Sequence, residues 1–167
     1  MLNCREFVNA DSIAAGISPF QPDKAAFEAG RVMLERIRHL IRSKTDFAFE
    51  TTLSTISYRG ILQECKKQGY QIVLVYFWLN TPDLAIERIK ERVLKGGHHI
   101  PDNIVRRRYG RGLKNLFRIF IPLSDYWLII DNSFAKSDQI AEGDRTKEEH
   151  IYNKKVWSTL KSASNEK

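Results

Sequence analysis

The chain has 167 residues, 43% of them hydrophobic, which is enough material for one globular domain with a real core. Its longest apolar run, 72–79, is too short to span a bilayer, no secretory leader pattern opens the sequence, and Cys4 and Cys65 are too few and unpatterned for a disulfide framework or a zinc site. These features point to a reducing cytoplasm, and a net charge of +7 with a pI near 9.5 points to anionic partners: phosphate groups, nucleic acid or an acidic surface.

The segment Arg5-Glu6-Phe7-Val8-Asn9-Ala10-Asp11 begins as a strand and ends in polar groups, with a loop through Gly16 and Ser18-Pro19 behind it. Asp23 caps a predicted helix over 24–42 whose apolar face carries Phe27, Val32 or Met33, Ile37 and Leu40. Phe47-Ala48-Phe49-Glu50-Thr51-Thr52-Leu53-Ser54 is an alternating apolar run that stops in a carboxylate and hydroxyls. That pattern is the mark of a short strand delivering polar groups to the carboxyl edge of a parallel sheet, where ligands bind in open α/β folds. A helix is expected over 53–67, with Ser54 as N-cap and Gly69 as stop.

The run 71–79 is apolar on both faces and reads as a strand buried on both sides. Pro82 opens a helix over 83–94, which Gly96-Gly97-His98-His99 breaks. Pro101-Asp102 starts another to about 121, where Pro122 stops it. Trp127-Leu128-Ile129-Ile130-Asp131 is a last apolar strand. Beyond Phe134, Ile140-Ala141-Glu142-Gly143 and Ile151-Tyr152 form the arms of a hairpin, and Trp157 and Leu160 anchor a short closing helix. A single domain over 1–160 with a frayed tail over 161–167 is expected.

Strands separated by helices predict an α/β fold with a parallel sheet and right-handed crossovers. The strand ends fall at Asp11, Glu50, Asn80 and Asp131, so three of the four put acid on one rim. Such a rim suits a metal–phosphate complex and the orientation of a hydroxyl nucleophile. Arg107, Arg111, Lys114 and Arg118 follow at spacings of four, three and four, on a different helix face from the stripe Val105, Tyr109, Leu113, Leu116 and Phe120. Like charges at that spacing repel, so the row is either a solvated face or an anion-binding lid whose arginine forks grip phosphate oxygens. Adjacent His98 and His99 point apart, with no third ligand at a matching spacing, and no metal site is assigned.

At these residues the chain resembles the zeta-toxin-like P-loop kinases, the group around UDP-N-acetylglucosamine kinase toxins. The matching stretches are 4–11 with Ser18-Pro19-Phe20, then 47–54, Trp78-Leu79 before Pro82, and Gly96-Gly97-His98 through Ile100-Pro101 to Arg106-Arg107-Arg108-Tyr109. Asn115-Leu116-Phe117 and Asp131-Asn132-Ser133 complete them. The resemblance implies a three-layer parallel sheet of the P-loop kinase type and transfer of the γ-phosphate of ATP, with Mg2+, to a hydroxyl of a small molecule such as UDP-N-acetylglucosamine. It implies that Asp11 takes the proton from that hydroxyl and that Asn9, Glu50, Thr51 and Thr52 orient the substrate or stand on the metal side. It implies too that an arginine within 106–111 neutralises the transferring phosphoryl group. Arg107 and Arg111 are the candidates for that role, and Arg106, Arg108 and His98 for holding phosphate as part of the lid.

The phosphate cradle of such a kinase, G-x-x-x-x-G-K-[ST], is missing: none of the nine glycines is followed by Lys. In the family that motif precedes the segment beginning here at Cys4, so the first, central strand and the P-loop are expected to be absent, leaving a gap between the strands at Phe7 and Phe47 and those at Ile72 and Trp127. The chain is then expected to be inactive alone, whether through a start placed too late, as a truncated gene remnant or as a split protein completed by a second chain, and the candidate protein partner is an antitoxin or a complementing chain. The alternative is a non-catalytic remnant that binds phosphate-containing ligands or nucleic acid through the basic helix. No helix-turn-helix, zinc-finger or RNA-binding signature supports nucleic acid.

Overall fold

A computed structural model describes residues 4–94, 97, 99–146 and 148–165. Contacts divide the chain into two compact units, Met1–Thr51 and Thr52–Lys167. The strands divide the same way, into a two-stranded and a four-stranded sheet.

The first unit holds β1 (Glu6–Val8), α1 (Ala10–Ile17), α2 (Pro22–Arg42) and β2 (Phe47–Phe49). β1 and β2 pair in parallel, with Val8 opposite Phe49. The strand expected to run on to Asp11 stops at Val8, because Asn9 has extended backbone and its side-chain oxygen accepts from Ser12 N at 2.9 Å. That cap, followed by alanines with high helix propensity, converts the expected loop into α1 and puts Asp11 in the first helical turn. In α2, Pro22 opens the helix one residue after Gln21, and Asp23 lies in its first turn instead of capping it. Ala25, Ala29, Met33, Ile37, Leu40 and Ile41 form its buried face, and Ala14 of α1 packs with Ala25 and Ala29. Phe27, assigned to that face from its spacing, stands 82% exposed. The small alanines allow α1 and α2 to approach closely, and Phe27 lies off that seam.

The second unit is built on the sheet order β3-β4-β5-β6: β3 (Val73–Trp78), β4 (Tyr126–Asp131), β5 (Asp138–Asp144) and β6 (Glu149–Ile151). β3 and β4 are parallel, and β5 and β6 add on as the expected antiparallel hairpin, with Ala141 opposite Ile151. Around them lie α3 (Tyr58–Lys67), α4 (Pro82–Leu94), α5 (Asp102–Asn115), a π-helical turn over Leu116–Phe120, α6 (Ile121–Leu123) and α7 (Lys154–Asn165). Trp127 and Trp157 stack at 5.5 Å, and a Cβ at Gly143 would stand 2.6 Å from the Trp127 ring, so that strand position is open only to glycine.

Three expectations for this unit change. α3 begins at Tyr58, five residues late, because Leu53 has a left-handed backbone (φ +57°) and Thr55 Oγ1 accepts from Ser57 N, turning the chain before the helix starts. β3 is not buried on both sides: Val73, Val75 and Phe77 stand at alternate positions, so they share one face of the sheet, and all three are exposed. The closing helix anchored by buried Trp157 and Leu160 runs on to Asn165, covering most of the tail expected to fray.

Candidate functional site

In the first unit the parallel register that sets Val8 against Phe49 makes Asn9 and Glu50 the next pair along, at the carboxyl ends of both strands. Asn9 Nδ2 donates to Glu50 Oε2 at 2.9 Å. One amide therefore caps the helix carrying Asp11 with its oxygen and holds Glu50 with its nitrogen. Asp11 and Glu50 are both exposed, and the positive end of α1 favours acid in its first turn. A cavity of about 260 Å3 lies beside Asn9, lined by Phe7, Val8, Ser12, Ile13 and Arg36. Asn9, Asp11 and Glu50 thus share one edge. Thr51 follows, half-buried.

The second unit places the hydroxyls and the arginines. Thr52 is exposed, with Oγ1 2.9 Å from Ser54 Oγ. Leu53, between them, is buried with a left-handed backbone, a conformation costing a branched residue about 1–2 kcal/mol. Two contacts from α5 hold this turn. Asn115 Nδ2 donates to the Leu53 carbonyl at 2.7 Å, and Gly112 lies so close that a Cβ there would stand 2.5 Å from the Thr52 carbonyl oxygen.

Elsewhere α5 is anchored through Tyr109, whose hydroxyl donates to Leu79 O at 2.6 Å and accepts from Trp78 Nε1 at 3.0 Å, at the carboxyl end of β3. Burial pushes the Tyr109 phenol up, keeping it a neutral donor. The arginine row therefore stands on a helix tied at Tyr109, Gly112 and Asn115. Arg106 pairs with Asp83 of α4, and that hydrogen bond holds the Asp83 carboxyl below the usual carboxylate range. Arg107, Arg108 and Arg111 are exposed. On a helix of 3.6 residues per turn, Arg108 stands one turn before Gly112 and Arg111 one turn before Asn115, so both flank the face that meets the turn at Thr52. Arg107 is rotated further toward solvent. His98 lies outside the described residues.

Asp131, read from sequence as part of an acidic rim, has a different task. Its Oδ1 accepts from both the backbone N–H and the hydroxyl of Ser133, and Ser133 Oγ in turn accepts from Asn80 N at 2.8 Å. This knot ties the carboxyl ends of β3 and β4 together. Among the described residues no three of His, Cys, Asp and Glu converge as metal ligands, and no helix is long and apolar enough to cross a membrane. A larger cavity, about 430 Å3, opens at the other edge of the sheet around Asp125, Lys66 and Arg145. Its charges already pair with one another, Asp125 meeting both cations.

Sequence reasoning missed Tyr109 as an anchor, because an aromatic on an apolar stripe carries no sign of its hydroxyl's partner. It also missed Gly112. A glycine three residues before an asparagine on one helix face was the available signal.

The zeta toxin family model matches residues 21–155, four fifths of the chain. The chain belongs to the zeta toxin family. Glu50, Thr51, Thr52 and every arginine within 106–111 lie inside the matched span; Asn9 and Asp11 lie ahead of it. An uncharacterized protein of Haemophilus influenzae strain Rd is 34% identical over 102 residues, covering 61% of this chain and 73% of that protein. A solved structure from the PezAT chromosomal toxin–antitoxin system of Streptococcus pneumoniae matches with a TM-score of 0.57 at 12% identity, covering 95% of this chain and 74% of that one. That likeness shows the fold, and it agrees with the α/β architecture expected from the sequence.

Proposed function

We propose that this chain carries the acceptor side of a zeta-toxin-type kinase, binding a phosphate-bearing small molecule and orienting its hydroxyl for phosphoryl transfer. The observation that carries this reading is the bridge from Asn9 to Glu50, which ties the strand-end carboxylate to the helix bearing Asp11. Asp11 accepts the proton of the substrate hydroxyl, Glu50 and Asn9 orient it, and chain connectivity keeps the Thr51 and Thr52 hydroxyls one and two residues from Glu50. The arginines of α5 take, by family resemblance, the task of neutralising phosphate oxygens, and within the second unit Arg108 and Arg111 flank the turn at Thr52, with Arg107 beside them. Family resemblance names UDP-N-acetylglucosamine as the candidate acceptor and an antitoxin as the candidate partner, in the cytoplasm.

ATP and Mg2+ are the donor side of such a reaction. The 167 residues contain no G-x-x-x-x-G-K-[ST] sequence, so they do not fit a triphosphate cradle, and ATP turnover by this chain alone is not expected. Titration of UDP-N-acetylglucosamine into the full chain tests the reading. Saturable binding is expected, weakened about tenfold or more by Arg108→Ala. No saturable binding, or binding indifferent to Arg108 and Arg111, would overturn it. Salt-sensitive binding of random DNA in place of the nucleotide sugar would favour a nucleic-acid binder instead.

A further inference from the structure

The motif Asn115-Leu116-Phe117 has no part in the reading above, yet Asn115 makes one of the two contacts by which α5 grips the turn at Thr52. We propose that Asn115 is a positioning residue, whose amide holds the left-handed turn at Leu53 and so sets where the Thr52 hydroxyl is presented.

Three observations converge on it. Leu53 occupies a backbone region that a branched residue rarely visits, and such a conformation persists only where its surroundings over-determine it. Its side chain is buried, which fixes the turn from below. The Asn115 amide takes its carbonyl at 2.7 Å, which fixes the turn from the side. Gly112 makes this approach possible, since any side chain there would collide with the carbonyl of Thr52. The result is an exposed Thr52–Ser54 hydroxyl pair carried on a turn that is itself held fast. Because Arg108 and Arg111 stand one helical turn before Gly112 and Asn115, one docking contact sets the hydroxyl pair and the arginines relative to each other. The device is a clamp between two pieces of one site.

The hydroxyl's role toward substrate rests on the proposed function, whereas the clamp can be read without any ligand. Amide hydrogen exchange of the full chain is the direct test, comparing wild type with Asn115→Asp, which keeps the shape and removes the donor, and Asn115→Gln, which keeps the donor. Asn115→Asp is expected to raise exchange at 52–55 about tenfold while amides of β3 and β4 stay at their wild-type rates, with Asn115→Gln lying between. Unchanged exchange at 52–55, or a rise spread evenly over both regions, would overturn the clamp. A second arm measures UDP-N-acetylglucosamine affinity: a loss in Asn115→Asp, partly restored in Asn115→Gln, ties the clamp to substrate. Affinity unchanged in Asn115→Asp overturns that tie. If wild type fails to bind the nucleotide sugar, the proposed function falls while the exchange result still decides the clamp.

Discussion

Glu50 and Asp131 sit at equivalent places, each at the carboxyl end of a parallel strand, and the structure uses them in opposite ways. Asp131 spends its Oδ1 on the Ser133 turn, where the Ser133 side chain is buried and the knot joins two strands. Glu50 is exposed and receives a side-chain hydrogen bond from Asn9, a residue of the same candidate site. Asp125, at the amino end of β4, extends the contrast: partly buried, it accepts from Ile72 N at 2.7 Å and faces the partly buried Lys66 and the exposed Arg145. A carboxylate engaged by a backbone N–H together with a hydroxyl or cations holds the fold. One left in solvent beside an amide is available to a ligand.

That contrast predicts a graded series in chemical denaturation. Asp125→Ala removes the acceptor of Ile72 N and leaves two cations facing a void, which should cost about 2–3 kcal/mol, discounted for the exposure of Arg145. Asp131→Ala should cost about 1–2 kcal/mol through loss of the Ser133 turn. Glu50→Ala should stay within about 0.5 kcal/mol. A Glu50 variant as damaging as the Asp125 variant would erase the distinction.

How much of this was legible in the sequence follows from the same physics. The strands at Phe7, Phe47, Val73 and Trp127 announce themselves by apolar runs bounded by turns, and the hairpin after Phe134 by its residue pattern. The helix α1 stayed hidden because its start depends on which way the Asn9 side chain turns, inward to Ser12 N instead of out from a strand. The acidic rim was overcounted for a similar reason, since composition shows that Asp131 is acidic but not that Ser133 consumes it. The proposed preference for Arg108 and Arg111 rests on the contacts of Gly112 and Asn115 with the turn at Thr52, which spacing alone does not supply.

The smallest expected effect concerns a fourth carboxylate. Glu142 is held below the usual carboxylate range by hydroxyl donation from Tyr126 and Tyr152, and the same hydrogen bond pushes the Tyr126 phenol up to about 12. A phenol raised on folding contributes stability fully below the ordinary tyrosine value and loses it as pH rises toward about 12. Burial raises Tyr76 as well, so an ultraviolet titration should show more than one late-ionising tyrosine, with one of them lost in Tyr126→Phe and one moved to lower pH in Glu142→Gln. A Glu142→Gln titration that matches wild type would count against the assignment.

The most direct measurement is calorimetric titration of UDP-N-acetylglucosamine into the full chain, compared for wild type, Glu50→Gln and Asp131→Asn. Glu50→Gln is expected to weaken binding about tenfold at unchanged stability, and Asp131→Asn, which keeps the acceptor for Ser133, to leave affinity near wild type. Affinity that ignores Glu50 and collapses with Asp131 would contradict the account.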